Sequence, residues 1–210
     1  MKRTTILLLT MAALMMPAVI SCDMDKEKVK TMYSGFMTGY TDSEGYVTVL
    51  KDDYGVQYMV TGKSEQLSPD TLYRLVASVV LDENRTAAIL QMVPAVSYKA
   101  PVDSTLPDSV RATDPVEIVS RYIGGGYLNI HVGVKVSSEQ ARHRLIYARL
   151  GGTDKVKFTI YHNAYGDQPV FTKYAYISIP LQDYQLAQND TVFLSCKGYK
   201  EDYDYKLVVK

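Results

Sequence analysis

Residues 116–136, VEIVSRYIGGGYLNIHVGVKV, decide the fold of this chain. Apolar and β-branched residues fill both halves of the stretch, and Gly124-Gly125-Gly126 separates them. Runs of this length and composition, bounded by glycine, predict two β-strands. The triplet is not a phosphate-binding loop, because it lacks the Lys-Ser/Thr partner and a following helix. We expect it to let two strands cross or kink.

Ten further strand-like runs surround this stretch. Five follow it, at 143–150, 155–162, 172–180, 191–199 and 203–209, and five precede it, at 32–41, 45–51, 54–60, 72–82 and 86–98. The last seven strands fit an immunoglobulin-type sandwich, and the first five, with a longer break after the third, suit a small OB-type barrel. The predicted fold class is all-β: a small OB-type barrel followed by an immunoglobulin-like β-sandwich.

One segment, 139–150, has a competing helical interpretation. Ser137 and Gln140 have the spacing of a capping box, which predicts a helix start. However, His143, Leu145 and Tyr147 alternate with other residues at the strand period before a glycine pair. We predict a short turn or helical cap followed by a strand.

Residues 101–114, PVDSTLPDSVRATD, contain two prolines and two Asp-Ser pairs. This composition predicts a linker between a barrel domain at 32–100 and a sandwich domain at 115–210. The alternative is an extended strand within one continuous fold.

The start of the chain has the pattern of a bacterial secretory signal. Lys2 and Arg3 precede an apolar run at 6–20 that is too short to span a bilayer, and Val19-Ile20-Ser21-Cys22 forms a lipobox. We predict a signal peptide at 1–21, acylation of Cys22 and a solvated tether at 22–31. More than one acyl chain gives a stable anchor, so the expected location is the cell envelope, on the periplasmic or surface side of the outer membrane. An ordinary secretory signal or a short buried helix is the alternative.

Charge and cysteine content exclude several classes of protein. Without Lys2 and Arg3, 21 basic groups face 23 acidic groups, which argues against a nucleic-acid partner. If Cys22 is acylated, Cys196 is alone, and its apolar strand surroundings predict a buried, unreactive thiol.

The sequence offers no catalytic constellation, and it predicts no enzyme, no metal and no cofactor. His162 and Asp167 are the most suggestive pair, but we interpret them as the end of a strand whose polar groups are satisfied by a loop. The basic residues of 142–157 are interpreted as a solvated surface.

Tyr174 and Tyr176 are the candidate ligand-binding residues. They share one face of their strand, opposite Ala175, Ile177 and Ile179. Exposed paired tyrosines can stack on sugars or anchor a protein partner. Cross-strand packing on the sheet surface is the alternative.

Residues 124–130, GGGYLNI, and 162–167, HNAYGD, resemble the NigD-like lipoproteins of Bacteroidetes. The order of parts is also similar: lipoprotein signal, OB-type domain, β-sandwich. The family name comes from a bacteriocin-associated gene cluster, so the resemblance implies an immunity or accessory role, and it supplies no site residues.

We therefore expect a non-catalytic, lipid-anchored envelope protein that binds a protein or peptide partner, with bacteriocin immunity as one form of this role. A glycan-binding accessory lipoprotein is the alternative, and an uncharacterised envelope enzyme is a second alternative. The Asp-Ser pairs of 101–114 also resemble Bacteroidetes O-glycosylation acceptors.

Overall fold

The computed structural model describes residues 30–152 and 155–210. The predicted signal peptide, Cys22 and the tether up to residue 29 lie outside the described residues and stay predictions. The strands are β1 (Thr31–Thr41), β2 (Val47–Asp52), β3 (Gln57–Thr61), β4 (Leu72–Leu81), β5 (Thr86–Pro94), β6 (Glu117–Gly124), β7 (Tyr127–Val136), β8 (Arg144–Arg149), β9 (Val156–Asn163), β10 (Phe171–Pro180), β11 (Thr191–Cys196) and β12 (Tyr203–Val208). Single 3₁₀ turns occupy Asp103–Thr105, Asp108–Val110 and Gln182–Tyr184.

The first five strands close into a barrel in the order β1-β2-β3-β5-β4. All pairs are antiparallel except β3 with β5. Residues that alternate along the strands point inward, so that Met37, Leu50, Leu75 and Val79 are fully buried. The predicted OB-type barrel is confirmed.

The last seven strands form a sandwich of a three-stranded sheet, β10-β7-β6, and a four-stranded sheet, β12-β11-β9-β8. The only parallel neighbours among these described strands are β9 and β11. Leu128, Ile130 and Val132 of β7 face Phe158 and Leu194 in a common core. The predicted order of a barrel followed by a β-sandwich is confirmed. Among the described residues, no helix has the length and apolar character needed to cross a membrane.

The ambiguous segment 139–150 contains a strand. β8 pairs antiparallel with β9, with Leu145 opposite His162 and Tyr147 opposite Ile160. Tyr147 is fully buried in the sandwich core, so the alternation of this segment, and not its capping-box spacing, indicated its structure.

The segment around 101–114 is tied to the sandwich. Val102 bridges Arg149 in β8, and Thr113 bridges His162 in β9. Just before it, the Tyr98 and Tyr147 rings stack 4.3 Å apart, and each hydroxyl donates to the other residue's backbone carbonyl. The domain boundary stays a prediction, but the backbone of 101–114 is hydrogen-bonded to β8 and β9 of the sandwich.

The glycine triplet closes a hairpin. Gly124 pairs with Tyr127, and Gly125 and Gly126 have φ of +60° and +84°. Two central residues with positive φ are typical of a type I′ turn, which glycine adopts without a steric cost. The expected crossing or kink is therefore wrong at this point, because β6 and β7 are neighbours in one sheet.

Candidate functional site

A buried ion pair lies where the barrel meets the sandwich. Arg74 of β4 binds the carboxylate of Asp53, in the turn after β2, and their side chains are only 2% and 8% exposed. From the sandwich, Tyr122 Oη and Asn129 Nδ2 donate to the same carboxylate over 2.9 and 3.0 Å. Burial, reinforced by the charge of Asp53, raises the pKa of Tyr122.

The guanidinium of Arg74 is also shared with the sandwich. It donates to Ser178 Oγ at 3.0 Å and to Asn129 Oδ1 at 3.1 Å, and its cationic carbon lies 4.4 Å from the centre of the Tyr127 ring. Because Asp53 and Arg74 have matched partners, this network fixes the junction and offers no free reacting group. Sequence reasoning missed it, although a lone arginine in an apolar strand was a signal.

The turn glycine permits this contact. A Cβ on Gly125 would lie 2.4 Å from Asp53 Oδ1, closer than any van der Waals contact. The triplet therefore serves both the hairpin turn and the close approach of the barrel.

A groove of about 740 Å³ opens beside the network. Its walls are mostly aromatic and apolar side chains from both units, including Tyr33, Tyr54, Tyr122, Ile123, Leu181 and Leu186. The glycine turn and the polar residues Asp53, Gln182, Gln185 and Lys210 complete the lining. Tyr54 is 89% exposed at the lip. Asp52 stabilises its turn, because Asp52 Oδ1 accepts hydrogen bonds from the backbone N–H groups of Tyr54 and Val56 at 3.0 and 2.9 Å.

The predicted pair Tyr174 and Tyr176 lies on the outer face of β10, with Ile177 buried on the opposite face. Tyr174 is 56% exposed, whereas Tyr176 is half-buried against Phe36 of the barrel at 5.9 Å. The ring of His131, on β7, lies 5.0 and 4.8 Å from the two tyrosine rings. These three residues form an aromatic strip, of which the sequence indicated only the tyrosines; its role as a binding site stays a prediction.

His162 and Asp167 do not touch directly. His143 lies between them, with Nδ1 2.9 Å from His162 Nε2 and Nε2 3.0 Å from Asp167 Oδ2. His162 Nδ1 lies 3.1 Å from the carbonyl oxygen of Pro115. Ser137 donates through its hydroxyl and its backbone N–H to Asp167, and these bonds lower the pKa of that carboxyl to about 2.

These contacts define which outer ring nitrogens of the histidine pair donate. The Pro115 carbonyl and the ionised Asp167 only accept, so His162 Nδ1 and His143 Nε2, which face them, carry protons. Burial lowers the pKa of His162. The geometry agrees with a strand end whose polar groups are satisfied by a loop.

Other candidate chemistry has no support among the described residues. Within 30–152 and 155–210, no three His, Cys, Asp or Glu side chains are placed to hold a metal ion. Cys196 is buried in the sandwich, and burial raises the pKa of its thiol to about 12.

Solved structures share this fold. A NigD-like immunity protein from Bacteroides caccae is 23% identical with a TM-score of 0.70, and the match covers 85% of this chain and 97% of that one. A protein from Parabacteroides distasonis named as toxin-related is 18% identical (TM-score 0.68, 86% and 94% covered). A protein from Bacteroides fragilis named as a lipoprotein is 13% identical (TM-score 0.59, 86% and 98% covered). At these identities the likeness shows the fold alone.

A family model covers more than half of the chain. Residues 99–209 match the NigD-like C-terminal beta sandwich domain. No curated protein matches the chain. The match spans β6 to β12, including the glycine hairpin and the histidine pair, and the chain belongs to the NigD-like family.

Proposed function

We propose that this protein is a non-catalytic, lipid-anchored binding protein of the cell envelope, and that its junction groove takes a protein partner in an immunity-like role. The observation that carries the proposal is the groove itself. It presents Tyr54, almost fully exposed, beside a concave and mostly apolar wall built from both units.

The chemistry of the groove favours binding over catalysis. Tyrosine is enriched among the residues that dominate protein interfaces, because a rigid ring gives a large contact area. The Asp53 carboxylate at the base of the groove is saturated by Arg74, Tyr122 and Asn129. It is therefore poorly suited to act as a general base.

The family supports the same assignment. Two of the structural neighbours carry names that refer to immunity and to a toxin, and a third is named as a lipoprotein. The lipobox at Cys22 would place the groove at the membrane surface, where an incoming toxin arrives.

Toxin challenge of a deletion strain tests this function. Cells that lack the protein are exposed to culture supernatants of related bacteriocin-producing strains and then complemented with variants. We expect the wild type and Tyr40→Ala, which removes an exposed barrel tyrosine outside the groove, to restore survival, and Tyr54→Ala to fail. Equal survival of the deletion strain and the wild type against every producer would refute the immunity role.

The aromatic strip of Tyr174, His131 and Tyr176 favours a second candidate, glycan binding. The exposed ring of Tyr174, with the other two rings beside it, suits the apolar face of a sugar. Binding to a glycan array that is lost in the Tyr174→Ala, Tyr176→Ala double variant, but kept in Tyr54→Ala, would select this role.

A further inference from the structure

One side of the sandwich is only half closed. β10 is the edge strand of the three-stranded sheet, and β8 is the edge strand of the four-stranded sheet. The segment at 96–102 passes from one to the other, bridging Ile177 through Val96 and Arg149 through Val102. It covers the half of this side nearer the barrel and leaves the other half open.

The open half of β10 presents unpaired backbone. Val96 N–H donates to Tyr176 C=O at 2.8 Å, and Ser178 N–H donates to Val96 C=O at 3.0 Å. By the alternation of a strand, the N–H and C=O groups of Thr172 and Tyr174 point to the same edge. Within the part of the chain that the structure describes, no strand pairs with them. One extended segment of the chain, at Val96, therefore already pairs with this edge of β10.

An apolar pocket of about 400 Å³ opens between the two sheets at this point. Val134, Val136, Leu145 and Ala175 line it, and the His143–His162 pair lies at its wall. If a further strand paired with this edge of β10, every second side chain of that strand would face the pocket, and apolar side chains would fit there.

Two cationic side chains lie at the rim of the pocket. Arg142 is exposed and has no ion-pair partner among residues 30–152 and 155–210, and Lys173 reaches across to the Glu139 carbonyl at 2.9 Å. The Glu139 carboxylate lies 4.0 Å from Lys173, and Asp167 is occupied by His143. An acidic side chain would complement this rim.

We propose that this opening binds an extended peptide of a partner protein as an added strand on β10. The peptide pairs with the backbone of Thr172 and Tyr174. Its apolar side chain enters the pocket beside Ala175, and an acidic side chain two positions away meets Lys173 and Arg142. The spacing of two follows from the strand, because Ala175 and Lys173 share a face. We infer a peptide that runs antiparallel to β10, so that the residue beside Ala175 precedes the one beside Lys173 and the recognised pattern is apolar-x-acidic.

Peptide binding to the full-length acylated protein in detergent micelles tests the proposal. The probe is a fluorescent, N-acetylated peptide Thr-Thr-Leu-Thr-Asp-Thr-Thr, and fluorescence anisotropy reports its Kd. Two control peptides replace Asp by Lys and Leu by Ser. We expect saturable binding of the first peptide and at least about tenfold weaker binding of both controls.

Variants separate this site from the junction groove. Arg142→Glu, at an exposed position, should weaken binding at least about tenfold, and Lys51→Glu, an exposed barrel position, should not. Thr172→Pro removes an edge N–H where proline is tolerated, and it should also weaken binding. Tyr54→Ala should leave the Kd unchanged, so the proposal can fail independently of the groove. No saturable binding, equal affinity for the Lys peptide, or an unchanged Kd in Arg142→Glu would overturn it.

Discussion

Arg74 and Asp53 form an ion pair within the barrel, and side chains of the sandwich supply further hydrogen bonds to both residues. Tyr122 and Asn129 donate to the carboxylate, and Ser178 accepts from the guanidinium. The relative position of barrel and sandwich is therefore fixed by directional bonds to two charges. That position, in turn, sets the shape of the groove beside Tyr54.

Arg74→Leu should strongly destabilise the protein. Removing one partner of a buried pair leaves the other charge uncompensated, which costs about 3–5 kcal/mol. Urea unfolding of both proteins measures the free energy. Arg144→Leu, at an exposed strand position, is the control and should change it by no more than about 0.5 kcal/mol. Equal effects of the two substitutions would contradict a buried, structural pair.

The two glycines of the hairpin turn should respond differently to alanine. Both have positive φ, and a non-glycine residue there costs roughly 1–2 kcal/mol. A Cβ on Gly126 has no neighbour within 4 Å, whereas one on Gly125 meets Asp53. We expect Gly125→Ala to lower the unfolding free energy by at least about 1 kcal/mol more than Gly126→Ala. Identical unfolding curves would show that the barrel does not need this close approach.

Acid should weaken the fold through the buried His162 and the half-buried His131. Burial lowers the pKa of His162 and of His131 from 6.5. Below pH 6.5 the unfolded chain therefore binds more protons than the folded chain. The contribution of these histidines to the free energy of unfolding is complete above pH 6.5 and declines as the pH falls towards their pKa values in the folded protein. The urea midpoint should be lower at about pH 5.5 than at about pH 7.5. His131→Phe should make the decline shallower, and an unaltered decline would rule out a contribution from this residue.

Cys196 should be inert in the folded protein. Its thiol is buried, and its pKa is raised to about 12, so almost no thiolate is present near neutral pH. Iodoacetamide should leave the Cys196 peptide unmodified in buffer and alkylate it fully in urea, as read by mass spectrometry. Rapid alkylation in buffer would contradict the observed burial.

Cys22 should carry the membrane anchor. The lipobox predicts that residues 1–21 are removed and that the new N-terminal cysteine is acylated. Mass spectrometry of the membrane fraction should find the lipid-modified cysteine, and Cys22→Ser should release the protein into the soluble fraction. An unmodified mature form that begins at another residue would exclude the anchor.

Much of the fold was predictable because strands have local signatures. The twelve strands found in residues 30–152 and 155–210 lie within a few residues of their predicted positions, since alternation and turn residues mark them along the chain. The segment that becomes β8 was ambiguous because its capping box and its alternation disagreed. The Gly124–Gly126 turn was misinterpreted because strand pairing is not visible in composition.

The candidate sites were less predictable because they depend on distant residues. Tyr174 was found through its strand face, but His131 reaches it only through pairing of β7 with β10. Asp53 and Arg74 lie 21 positions apart and meet Asn129 another 55 positions on. Similarly, His143 enters between His162 and Asp167 through pairing of β8 with β9. No local pattern encodes such contacts.

Photo-crosslinking at Tyr54 in intact cells tests the proposed role of the groove most directly. A photoreactive phenylalanine analogue replaces Tyr54 or, as the control, the exposed Tyr40. Cells are irradiated during exposure to a bacteriocin against which the wild-type protein protects. We predict a single adduct with the toxin or its envelope target at position 54 and none at position 40. Protection without an adduct at position 54, or adducts of equal yield at both positions, would contradict partner binding in the junction groove.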